Sequence, residues 1–248
     1  MSSTEEPRRF NIAAAENFNA EVLDCLLHAF PLTDDEIVMQ SLANTSNGKF
    51  TVSFEAPLFY GRGVTSLQER KDSSKSDLYH LFIEYKLTSD REDKYLTVEN
   101  SKYSIRVHTQ SAISFEYERN KEHVAAAHIH FSGIGGLLSP ALMKNGKTSK
   151  TDPRKDGNIR ALHIPVGGHR FRPSLEDFLY FVIKECGFTG RNGWEEALKN
   201  SRDKWFDIQL QAAVRDNPRV AATALQAMGA TIDEPNGGWP ESRRHESW

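Results

Sequence analysis

"SDLYHLFIEYKLT", residues 76–88, alternates with a period of two. Leu78, His80, Phe82 and Glu84 fall on one side of an extended chain, and Tyr79, Leu81, Ile83 and Tyr85 on the other. That pattern predicts a strand. The stretches around it repeat the signal. "KFTVSFEAPLFYG" (49–61) puts Phe50, Val52 and Phe54 on one face. "KYLTVEN" (94–100), "KYSIRVHTQ" (102–110) and "AISFEYERN" (112–120) alternate as well. The links between the last of these are short and polar, so the simplest assembly is an antiparallel meander. "HVAAAHIHF" (123–131) supplies the next strand and "ALHIPV" (161–166) a final one. The expected fold is α+β: a meander of five to seven strands with flanking helices and a C-terminal helical add-on.

The helices are signalled at their ends. Phe18, Val22, Cys25, Leu26 and Phe30 stand at helical spacing in "AENFNAEVLDCLLHAF", which stops before Pro31. "TDDEIVMQSLAN" (33–44) reads as a second short helix, with Thr33 and Glu36 at capping-box spacing. "RPSLEDFLYFVIKECGF" opens on Ser174 with Asp177 at the third helical position, buries Leu175, Phe178, Leu179, Val182 and Ile183, and ends at Gly187. Residues 193–230 predict two or three more helices, the last capped by Asn217, opened by Pro218 and closed by Gly229. The expected organisation is a disordered start (1–9), an α+β core (10–190), a helical extension (191–232) and a disordered tail (233–248). Residues 139–160 predict a mobile loop.

Composition narrows the class. The 248 residues carry 31 basic and 34 acidic side chains, a net charge of −3. Any nucleic-acid surface is therefore local. "MSSTEEPRRF" lacks the apolar stretch of a signal peptide, and no run reaches the length of a membrane span, so a cytoplasmic protein is expected. Cys25 and Cys186 sit in apolar helical patterns and are expected to be reduced, buried thiols.

Strand alternation places the histidines. In "AHIHF", Ile129 and Phe131 share one face, and His128 and His130 the other. In "ALHIPV", His163 points away from Leu162, Ile164 and Val166, and it joins the pair if the two strands are neighbours. Ser114, Glu116 and Glu118 share a face of "AISFEYERN", where carboxylates could fix the ring tautomers. Such a pair suits metal ligation, acid/base catalysis, a phosphate contact or an ordinary exposed strand. A metal site needs a third and fourth ligand.

Downstream, residues 144–172 hold eight Lys or Arg against Asp152 and Asp156, a local balance of +6 that leaves −9 for the rest. Arg160 lies in this segment. "PVGGHRFRPS" (165–174) then sets two glycines, His169, Arg170 and Arg172 before a helix start. Glycines let amides approach an anion and arginines grip phosphate, although a turn whose arginines pair with acidic residues has the same composition. The Gly-Gly pair lacks the lysine–hydroxyl pattern of a P-loop.

The layout "FEYERN…HIHF…LHIPVGGHRFRPSLEDFLYFVI" resembles the TumE-like toxins over about residues 113–183. The shared features are an acidic-aromatic strand, a His-x-His strand, a strand ending near proline, and a helix opening on Ser-Leu-Glu. The resemblance implies a toxin–antitoxin or phage-defence setting, growth inhibition through action on RNA, and a neutralising protein partner. His128, His130 and His163 are the residues it carries over. "His-Ile-His" is also similar to the metal-binding strand of HUH endonucleases, which attack DNA with a tyrosine on a following helix. Tyr180 lies on such a helix, but three residues separate it from Lys184 where that family has two.

Two classes of function follow. One is a toxin-like or defence-associated protein acting on RNA or DNA, with a ribonuclease as the leading form and a metal-dependent DNA endonuclease of the HUH type as the alternative. His128, His130 and His163 would be its catalytic groups, and His169, Arg170, Arg172 and Arg160 its phosphate contacts. It would need no cofactor, or one divalent metal at His128 and His130. The other is a non-enzymatic subunit docking an antitoxin or defence protein through its sheet or through the "WFDIQLQAAV" helix.

Overall fold

Seven strands follow one another across a single antiparallel sheet, in chain order. The computed structural model describes residues 12–44, 48–59, 78–90, 95–121, 124–132 and 164–242. The strands are β1 (Val38–Asn44), β2 (Lys49–Pro57), β3 (Tyr79–Ser89), β4 (Leu96–Val107), β5 (Gln110–Glu118), β6 (Ala127–Phe131) and β7 (Ile164–Pro165). The expected α+β meander is therefore present. One face buries Val52, Phe54, Leu81, Ile83, Tyr103 and Ile105, the alternate residues the period-two pattern selected.

Helices cover that face. α1 (Ile12–Ala29) inserts Val22 and Leu26, and its Phe18 ring meets Tyr85 edge-on at 4.8 Å. α2 (Leu175–Tyr180) seats Phe178 against Phe115 and Tyr103, with ring centroids 5.1 and 5.8 Å apart. Its capping box is complete: Asp177 N–H donates to the Ser174 hydroxyl at 3.1 Å, and Ser174 N–H donates to the Asp177 carboxylate at 2.9 Å. α3 (Trp194–Asp216) packs on α1 and α2, and α4 (Pro218–Ala227) follows it. Pro218 opens α4 as expected, but Asn217 makes no side-chain cap bond. The outward sides of α3 and α4 expose Phe206, Leu210 and Val214, and Val220 and Leu225, with Met228 exposed just past the end of α4. Among the described residues, no helix is long and apolar enough to cross a membrane.

Residues 94–100 and 102–110, read as separate strands, merge into the single strand β4 (Leu96–Val107), and two further expectations are corrected. Residues 33–44 are not a helix. The Thr33–Glu36 box forms, with Thr33 N–H donating to Glu36 at 3.0 Å, yet it starts only a single 3-10 turn, Asp34–Glu36. Val38–Asn44 instead pairs with β2, so cross-strand bonding overrides the helical start signal. Cys186 is exposed rather than buried, whereas Cys25 is buried. The helix after Tyr180 widens into a π turn, Phe181–Glu185, in which Cys186 N–H donates to the Phe181 carbonyl at 3.0 Å. The extra residue rotates Cys186 off the stripe that buries Phe178 and Val182. Burial pushes the Cys25 thiol up to about 12, with Glu176 adding to the shift, so it stays a thiol. His163, Arg160 and the loop expected at 139–160 lie outside the described residues.

Candidate functional site

The face of the sheet away from the helices is polar. Across it, directly paired positions run Glu84 on β3, Lys102 on β4, Glu116 on β5 and His128 on β6. The adjacent row sets Ser104 against Ser114 and Ser114 against His130. Ile129 and Phe131 face the core, so the two histidines share the polar face as their spacing requires. Their rings meet edge to face at 4.8 Å.

Glu116 is held between these rows. Its Oε1 accepts from Lys102 Nζ and from Ser114 Oγ, both at 2.8 Å. Its Oε2 lies 3.8 Å from Nε2 of His128 and 3.8 Å from Nε2 of His130. Those separations are too long for hydrogen bonds. One ligand atom from each of the three side chains falls within 4.8 Å of the others. Burial would raise the Glu116 carboxyl, but the hydrogen bonds from Lys102 and Ser114 and the charge of Lys102 outweigh it and hold the group below its ordinary value.

His128 is 1% exposed and His130 20%. Nδ1 of His128 lies 2.7 Å from the Ala125 carbonyl, which can only accept, so Nδ1 carries the proton. In the neutral ring, Nε2 then presents a lone pair toward Glu116. Burial lowers the His128 pKa, with His130 adding to the effect and the Ala125 bond opposing it, and this favours the neutral ring. A shallow hollow beside the cluster is lined by Lys102, Ser111, Ser114, Glu116, His130 and Ser132.

The glycine–arginine turn stands elsewhere. Tyr117, next to Glu116, points to the opposite face, and its hydroxyl meets His169 Nδ1 at 3.1 Å. His169 and Arg172 are each 7% exposed. The Arg172 guanidinium lies 4.1 Å over the Tyr117 ring and donates to the His169 carbonyl at 2.6 Å. Arg170 donates to Asp216 of α3 at 2.6 Å. These three side chains join the sheet to the helix layer; Arg172 shares the lining of a small cavity with Glu116 and His128, whereas none of the three lines the hollow that His130 faces. Tyr180, also in the helix layer, contacts Trp194 and lines neither space. Lys102 is the one member of the cluster that the sequence reading passed over. The alternation of "KYSIRV" puts it on the polar face with Ser104 and Arg106.

Gly167 serves the turn itself. Its φ is +66°, and an added Cβ would lie 1.8 Å from the Phe171 carbonyl oxygen. Gly168 has φ +57° with open space around it. Gly167→Ala is expected to cost about 2–5 kcal/mol from strain and overlap, against about 1–2 kcal/mol for Gly168→Ala from backbone strain alone. Urea denaturation of the two variants checks this. Equal losses would contradict the packing role of Gly167.

The chain matches no protein-family model, no curated protein and no solved structure.

Proposed function

We propose that the polar sheet face is the working surface of a toxin-like ribonuclease, with Glu116, His128 and His130 as its centre. The observation that carries this reading is the convergence of two imidazole nitrogens on one carboxylate oxygen, each at 3.8 Å, beside an open hollow. Support for RNA comes from the sequence: without Arg170 and Arg172, residues 144–160 still carry six Lys or Arg against two Asp, a balance of +4, and the layout of residues 113–183 resembles the TumE-like toxins. Cleavage would form a bond from the 2′-oxygen to phosphorus and break the bond to the 5′-oxygen. The 2′-hydroxyl passes its proton to solvent water and the departing 5′-oxygen takes one from solvent water, so the step balances without a proton left on the centre. His169, Arg170 and Arg172 are left out of this centre and hold the helix layer to the sheet.

The test uses the full chain with end-labelled single-stranded RNA and the matching DNA, with zinc or manganese supplied. RNA cleavage is expected, with the DNA left intact. Glu116→Gln, which keeps the side chain's shape, is expected to lower the rate at least about 100-fold. Intact RNA, equal cleavage of DNA, or an unimpaired Glu116→Gln variant would overturn the ribonuclease reading.

A further inference from the structure

We infer that Nε2 of His128, Nε2 of His130 and Oε2 of Glu116 hold one divalent transition-metal ion of the zinc class, with Lys102 and Ser114 as positioning residues. The inference deepens the ribonuclease reading by naming the cofactor class of its centre.

The argument begins with what each ligand atom is prepared to do. A metal-bound imidazole needs one nitrogen free of its proton, and metal-ligating histidines commonly fix this by donating the other N–H to a backbone carbonyl. His128 has that arrangement toward Ala125, at 2.7 Å. A ligating carboxylate is in turn hydrogen-bonded through its second oxygen. Glu116 gives Oε1 to Lys102 and Ser114 and turns Oε2 to the two rings.

Spacing agrees with a small ion. Ligand bonds of about 2.0–2.1 Å in a tetrahedral site set the ligand atoms about 3.4 Å apart. The observed 3.8 Å from Oε2 to each nitrogen closes to that with a few tenths of an ångström, and the outer limit of 4.8 Å among the three ligand atoms closes with rotation of the two rings toward each other by up to about 1.4 Å. Two imidazoles and one carboxylate suit zinc and its neighbours, whereas magnesium and calcium prefer oxygen alone. Three protein ligands leave a fourth position for solvent or substrate, the pattern of catalytic rather than structural zinc sites. Glu116 and His130 both line the hollow, so two of the three ligands border open space. An ion held there would polarise a phosphoryl oxygen. The strands hold the ligands at fixed register, with Glu116 paired to His128 and Ser114 to His130, so no loop has to order for binding.

Zinc chloride titrated into the chelator-treated full chain, followed by calorimetry, is expected to bind at one equivalent with micromolar or tighter affinity. Glu116→Gln and His130→Ala are expected to weaken it at least about 100-fold, and Lys102→Met about 10-fold, with Lys102→Arg restoring it. Circular dichroism melting of the metal-free variants separates ligand loss from misfolding. Absence of saturable binding, or wild-type affinity in both ligand variants, would overturn the site. Zinc binding without RNA cleavage would leave the site standing and remove the ribonuclease reading. RNA cleavage indifferent to chelation would do the reverse.

Discussion

His130→Ala is expected to abolish at least 99% of RNA cleavage while leaving the fold intact. His128→Ala is expected to lose the same activity and to destabilise the protein as well. The contrast follows from how the two rings are held. His130 is 20% exposed and faces the hollow, so truncating it empties partly solvated space. His128 is 1% exposed, and its Nδ1–H satisfies the Ala125 carbonyl. Removing that donor leaves a carbonyl short of a partner beside a small void, a loss of about 1–3 kcal/mol. Cleavage rates and urea midpoints of both variants check the pair. Full activity in His130→Ala would remove the ring from the mechanism. Equal stabilities would contradict the anchoring role of His128.

Phe178→Ala is expected to produce the largest loss of stability, about 3–5 kcal/mol. Phe178 is fully buried and touches Phe115, Tyr103 and Phe181, so it is the point where α2 grips β4 and β5. With total stabilities of about 5–15 kcal/mol for folded domains, this is a large share. At about 2–4 °C per kcal/mol for a chain of this size, the melting temperature falls by about 6–20 °C. Phe115 sits between Ser114 and Glu116 on β5, so the same contact steadies the strand that carries the carboxylate. A loss under about 1 kcal/mol would mean that α2 does not anchor the sheet.

Much of the sheet was legible because strand burial repeats every two residues, and "SDLYHLFIEYKLT" states that period without ambiguity. The shared face of His128, His130 and Glu116 followed from the same rule. Lys102 was harder. A two-residue turn at His108 and Thr109 pairs Val107 with Gln110, and simple counting from there sets Lys102 opposite Phe115. The structure shifts register between Ile105 and Arg106, which brings Lys102 opposite Glu116 instead. Parity alone demands that shift. Tyr103 and Ile105 must face inward together with Ile113 and Phe115, and no bulge-free two-residue hairpin allows it. β1 was hidden because Thr33 and Glu36 give a real helix-start signal, and only pairing with β2 outweighs it. The side on which "GGHRFR" crosses was also hidden. The step from β7 to the helix layer depends on Tyr117 and Asp216, which are distant in sequence.

The central claim is geometric: one ion lies among three named atoms. Crystals of the full chain grown with one equivalent of zinc, measured on both sides of the zinc absorption edge, test it directly. The account predicts a single dominant anomalous peak about 2.0–2.2 Å from Nε2 of His128, Nε2 of His130 and Oε2 of Glu116. A peak only at other side chains, or none on the polar face of the sheet, would contradict it.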